Sequence, residues 1–144
     1  MLRVLLFILC VLTALTVAGQ NLVPNPDFET MSQCPGTYGE LDKAIPWQKP
    51  NAGSTDYYHT CCTNGPVGVP VNFNGGYQPA RSGSAYVGIS TYKETYPDYR
   101  EYLQAPLASP LKASACYYFE MWVNKKNSAR YATDKIGVHF RQGP

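Results

Sequence analysis

The sequence predicts an all-β fold, a sandwich of short strands packed as two facing layers. Three observations carry this. After the N-terminal apolar run, no stretch repeats apolar residues at the 3.6-residue helical period, whereas alternation at period two recurs between turn signals. Tyrosine, glycine and proline number 12 each, a composition that favours strands and turns over helices. The turn formers cluster between the alternating runs, most clearly at Asn74-Gly75-Gly76 and Arg81-Ser82-Gly83.

The elements follow in order along the chain. Met1-Leu2-Arg3 supplies one positive charge, residues 4–17 are an almost unbroken apolar run, and Val17-Ala18-Gly19 are small. This is the three-part layout of a secretory signal peptide over residues 1–19, with cleavage expected after Gly19 or Ala18. The run falls short of the roughly 20 apolar residues that span a bilayer. Leu9 before Cys10 is too large for a lipoprotein site. Residues 20–144 then make one domain's worth of chain.

Short strands are expected at residues 22–23 and 28–29. Residues 31–81 are irregular and rich in Pro, Gly, Asn, Ser and Thr, with Trp47, Tyr57, Tyr58, Phe73 and Tyr77 embedded in them. A stretch this long within one domain is functional or disordered, and its spaced aromatics predict an ordered, packed excursion. Residues 84–91 place Ala85, Val87 and Ile89 on one face and Tyr86, Gly88 and Ser90 on the other. Residues 99–104 form a weaker strand in which Leu103 and Glu101 share a face, which calls for an edge position or a bulge. Residues 116–124 turn Tyr117, Phe119, Met121 and Val123 inward. Residues 135–141 do the same with Ile136, Val138 and Phe140.

Cys34, Cys61, Cys62 and Cys116 follow the leader, an even number in an oxidising compartment, with three possible pairings. Cys34 is expected to pair with Cys61, or with its neighbour Cys62, because all three lie in loop-like sequence. Cys116 heads an apolar strand and is expected as a buried free thiol. A vicinal Cys61–Cys62 bridge would be strained. Zinc held by His59, Cys61 and Cys62 is the sharper alternative, but the spacing lacks the C-x-x-C knuckle of structural sites.

Several motifs support a family comparison. Asn21-Leu22-Val23-Pro24-Asn25 with Phe28-Glu29 resembles the opening of galactose-binding-like jelly rolls, the architecture of carbohydrate-binding modules of families 4, 9 and 22. Gly75-Gly76-Tyr77-Gln78-Pro79-Ala80, Ser82-Gly83-Ser84-Ala85-Tyr86-Val87-Gly88-Ile89 and Tyr99-Arg100-Glu101-Tyr102-Leu103-Gln104 look like a domain near the N-terminus of large exported proteins of Bacteroidota. There it often precedes an OmpA-like peptidoglycan-binding domain or a C-terminal sorting segment. The resemblance spans nearly all of residues 20–144. It implies a jelly-roll β-sandwich, display at the cell surface or outer membrane, and downstream domains. A jelly roll needs about eight strands and only some six are visible, so the closing strands are expected to be absent. The resemblance also implies a structural calcium near the first strand, with Glu29 and Asp27 as ligands. Calcium wants about six or more oxygens, and the alternative is that Glu29 binds backbone in a turn.

Sugar binding needs an apolar platform with a few convergent polar groups. The alternation of residues 116–124 places Tyr118, Glu120, Trp122 and Asn124 on one non-core face. Tyr86, Arg100, Tyr102, Gln104, His139 and Arg141 lie on the non-core faces of other strands. Half-exposed rings also pair across strands for stability alone, and the excursion at 31–81 is a possible roof for Trp122. Tyr57, Tyr58, Tyr92, Tyr96 and Tyr99 form a second, loop-borne set.

The charge is near neutral with scattered Lys and Arg, which makes nucleic acid and anionic membrane surfaces poor partners. No nucleophile elbow, phosphate loop or H-E-x-x-H is present. Asp56, His59 and Cys61 or Ser54 are crowded into one loop, a poor frame for a triad. The expectation is a non-catalytic, exported carbohydrate-binding or adhesive module without a cofactor beyond that calcium. A structural spacer domain and a secreted hydrolase are the alternatives.

Overall fold

The structure, a computed structural model, describes residues 19–73 and 76–142. The signal-peptide assignment, apart from Gly19, and the tip of the Asn74-Gly75-Gly76 turn lie outside the described residues. Among the described residues there is no α-helix, and no helix is long and apolar enough to cross a membrane. A 3-10 turn at Leu41–Lys43 precedes β1 (Asp56–His59), β2 (Val71–Asn72), β3 (Gly76–Tyr77) and β4 (Ala85–Gly88). β1 pairs antiparallel with β4, and β2 with β3, as two separate two-stranded sheets. The chain is therefore mostly β and irregular.

β4 forms inside the predicted 84–91 strand and with the predicted facing. Ala85 is buried, and Val87 packs on the cluster of Ala44, Tyr57 and Ala85 that Phe28, Met31 and Trp47 complete. Tyr86 points the other way and stacks on its direct partner Tyr58, with centroids 4.7 Å apart and planes 13° from parallel. Gly88 makes this possible. A Cβ there would lie 2.9 Å from Tyr58 Cε2, so a side chain would displace the ring.

β1 falls where loop was expected. All four of its residues are buried, and Tyr57 is wholly so, its hydroxyl donating to the Phe28 carbonyl at 2.8 Å. Asp56 and His59 break the apolar pattern that would have marked the strand, yet both are satisfied locally. Asp56 Oδ1 accepts the Gly39 amide at 2.8 Å, and His59 Nδ1 accepts the Cys61 amide at 3.0 Å. Tyr57 and Tyr58 are thus core residues rather than loop-tip rings. The described residues of the 31–81 excursion supply most of the core: Leu41, Ala44, Tyr57, Tyr58 and Val67.

The opening motif is a stapled turn instead of the expected strands at 22–23 and 28–29. Asn25, at φ 45°, is its hub. Its Nδ2 donates to the carbonyls of Thr30 (2.9 Å) and Ile45 (2.7 Å), and its Oδ1 accepts the Thr30 amide at 2.9 Å. The Trp47 indole N–H donates to the Asn25 carbonyl at 2.9 Å, bringing that ring 5.1 Å from Phe28. Asparagine tolerates this left-handed backbone and offers both a donor and an acceptor, which explains its place here.

Two further expectations are corrected. Residues 116–124 and 135–141 form no strands, and their presumed inward side chains, Tyr117, Phe119, Met121, Val123, Val138 and Phe140, are exposed. Alternation specifies a two-faced segment, but a strand also needs a ladder partner, and none pairs with these segments among the described residues. The two runs meet through Phe119 and Phe140, edge to face at 6.4 Å. Cys116 is an exposed free thiol, not a buried one.

Candidate functional site

Residues 118–124 carry the rings of the expected platform without the strand that would align them on one face. Tyr118 is 85% exposed and Trp122 70% exposed. The Tyr118 hydroxyl donates to Glu120 Oε2 at 3.1 Å, which places residues 118 and 120 on one side of the chain. That hydrogen bond, with the nearby Glu120 charge, raises the Tyr118 pKa. Trp122 and Asn124 reach the segment leading out of β3. The Arg81 guanidinium lies 3.9 Å from the centre of the Trp122 ring, and Asn124 Nδ2 donates to Gln78 Oε1. Asn127 Nδ2 continues the line with a 3.1 Å bond to the Tyr77 carbonyl. Residues 122–127 therefore run beside residues 77–81. Of the 31–81 excursion, Arg81 lies over the Trp122 ring.

Local chain chemistry explains this placement. Pro79, between Gln78 and Arg81, restricts the backbone to extended conformations. The Gln78 amide donates to the Pro70 carbonyl at 2.7 Å, tying the segment to the β2–β3 hairpin. Gly83, at φ 62°, then turns the chain into β4.

The other predicted residues lie elsewhere. Tyr86 uses both ring and hydroxyl internally, the hydroxyl accepting from Asn72 Nδ2 at 3.0 Å, and burial pushes its pKa up to about 12. Arg100 Nη1 folds back onto the carbonyls of Pro97 and Tyr99, both at 2.7 Å. Tyr102 is exposed, its carbonyl accepting Thr55 Oγ1 at 2.8 Å. Gln104 bridges Gln48 through two 2.9 Å backbone bonds, and its Oε1 accepts from Arg141 Nη2 at 3.1 Å. Tyr92 and Tyr96 are exposed, and Lys93 Nζ sits 3.7 Å over the Tyr99 ring.

Glu29 Oε1 accepts the amides of Ser84 (2.7 Å) and Ala85 (3.0 Å), the backbone-binding alternative, while Asp27 is exposed. No group of three His, Cys, Asp or Glu among the described residues is placed to hold a metal. Cys34 and Cys61 form a disulfide, with Cα atoms 6.0 Å apart. Cys61 therefore has no thiol to offer zinc or a triad. Asp56 and His59, three apart in β1, point to opposite faces. Ser54 Oγ donates to Glu101 Oε1 at 2.8 Å.

Glu101, a puzzle of register in the sequence, is a structural hub. It is 4% exposed, and its carboxylate accepts from Ser54 N (3.1 Å), Ser54 Oγ (2.8 Å), Tyr99 Oη (2.6 Å) and Ser90 N (2.7 Å). Burial alone would raise its pKa, but these four donors together hold it below the ordinary glutamate value. The sequence signal for Arg81 and Gln78 was weaker still, since both pair with residues about forty positions away. Compared with protein-family models, curated proteins and solved structures, the chain matches none.

Proposed function

We propose that the chain is a non-catalytic recognition module that binds carbohydrate, exported and displayed at the cell surface or beyond. The observation that supports it is the solvent-exposed line of Tyr118, Glu120, Trp122 and Asn124, flanked by Arg81 and Gln78. Two rings offer flat apolar faces to sugar C–H surfaces, and the Glu120 carboxylate and Asn124 amide, each with one atom bonded to a neighbour, keep a second polar atom for hydroxyls. Leaving an indole 70% exposed forgoes burial worth roughly 1.5–3 kcal/mol, a cost that a binding role explains. On this reading the β1–β4 and β2–β3 pairs belong to a jelly-roll sandwich of the galactose-binding-like kind, and the domain is carried on a longer surface protein.

A glycan array tests the proposal. Binding to at least one glycan class that falls about tenfold or more in Trp122→Ala supports it. Absence of binding across the array overturns it and favours the spacer reading, which draws on Tyr86 being fully engaged with Tyr58 and Asn72.

A further inference from the structure

We propose that the glycan bound along this line is anionic, a polysaccharide carrying uronate carboxylates or sulfate esters, with Arg81 as the residue that meets the acid group. The inference rests on the carbohydrate-binding reading above and names the ligand class of that same surface. The Arg81 guanidinium carbon sits 3.9 Å from the centre of the Trp122 ring on one face, and the exposure of the indole leaves the other face for a sugar ring. A guanidinium held over a ring retains its fork of N–H donors, which matches a carboxylate or sulfate.

Charge supports the same ligand. The chain carries a net charge of +2, yet residues 111–142 hold six Lys and Arg against two carboxylates, Glu120 and Asp134. The excess positive charge thus sits on the segment that carries the rings. Arg81 has no carboxylate partner among the described residues. Lys125, next to Asn124, spends hydrogen bonds on the carbonyls of Lys126 (3.3 Å) and Ala129 (2.7 Å) and leaves its charge uncompensated. Glu120 is the opposing charge on the line, and it is engaged by the Tyr118 hydroxyl. Neutral sugars would take hydrogen bonds from these donors but gain nothing from their charge. An acid group would pair with Arg81 and be favoured at longer range by the charge of Lys125, with the gain screened by salt.

Affinity of the full chain for three polysaccharides decides the matter: polygalacturonate, a sulfated galactan and neutral galactan, with duplex DNA as a polyanion control. The expected result is binding of at least one acidic glycan about tenfold or more tighter than neutral galactan at low salt, with the preference abolished in Arg81→Gln and reduced in Lys125→Gln. The stronger of the two acidic glycans identifies carboxylate or sulfate as the group read. Far-UV circular dichroism and an intact Cys34–Cys61 bridge confirm that the variants fold. Equal affinity for neutral galactan, still lost in Trp122→Ala, overturns the anionic preference and leaves the carbohydrate reading standing. Binding to DNA as tight as to the acidic glycans overturns it in favour of an unselective polyanion surface. Binding to none of the polysaccharides overturns both.

Discussion

Glu29 closes over Gly83: a Cβ built on that glycine would lie 2.4 Å from Glu29 Oε1, the oxygen that accepts the Ser84 and Ala85 amides. The opening turn is thereby fastened to the start of β4. Gly83 also has φ 62°, a conformation that costs a side chain on the order of 1 kcal/mol. Gly83→Ala is expected to combine that strain with loss of the Glu29 bonds, destabilising the fold by about 2–4 kcal/mol in urea unfolding. Gly36→Ala, where nothing lies within 4 Å, is expected to change little.

Acid stability should depend on Glu101. Its folded pKa is depressed, so its contribution is complete above the unfolded glutamate value and disappears as pH falls through the lower folded value. Glu101→Gln should cost about 1–3 kcal/mol at neutral pH, because an amide NH2 must face donors such as Tyr99 Oη or the Ser90 amide. It should also flatten the loss of stability on acidification. Unfolding curves from neutral pH down to strongly acidic pH check both effects.

Alkaline behaviour should report the tyrosine core. Burial raises the pKa of Tyr57 to about 12, helped by the Glu29 charge, and burial raises that of Tyr86 to about 12 as well. Both prefer the neutral form in the folded chain. Their contribution is present below the unfolded value of 10 and lost as pH rises through about 12. Ultraviolet titration should show Tyr57 and Tyr86 ionising near pH 12. Tyr86→Phe should remove one of them while keeping the stack on Tyr58.

The disulfide gives a chemical check on connectivity. Alkylation without reduction should label Cys62 and Cys116, and peptide mapping should recover Cys34 joined to Cys61. The bridge spans a sequence separation of 27 residues, so its removal is expected to cost roughly 3–4 kcal/mol.

What the sequence made legible follows from how local each signal is. β4 was legible because one apolar face, bounded by a glycine turn, repeats at period two over adjacent residues. The Cys34–Cys61 bridge was legible as one of two choices from its loop context. β1 was not, because Asp56 and His59 are polar and buried, and their partners Gly39 and Cys61 supply hydrogen bonds that alternation does not encode. Residues 116–124 show the converse. Alternation drew two faces, yet Tyr117, Phe119, Met121 and Val123 stand exposed beside Tyr118 and Trp122, because the ladder partner that would make a strand and bury one face is a nonlocal property. Arg81 and Gln78 joined the site only through the fold.

Tryptophan emission during glycan titration probes the recognition surface most directly, because Trp122 is exposed whereas Trp47 packs against Phe28 and donates to Asn25. With the glycan that binds best, the wild-type chain should show a saturable shift in emission that Trp122→Phe abolishes while retaining part of the affinity. Saturable binding that leaves the Trp122 emission untouched, or a Trp122→Ala variant that binds as tightly as wild type, would contradict the account.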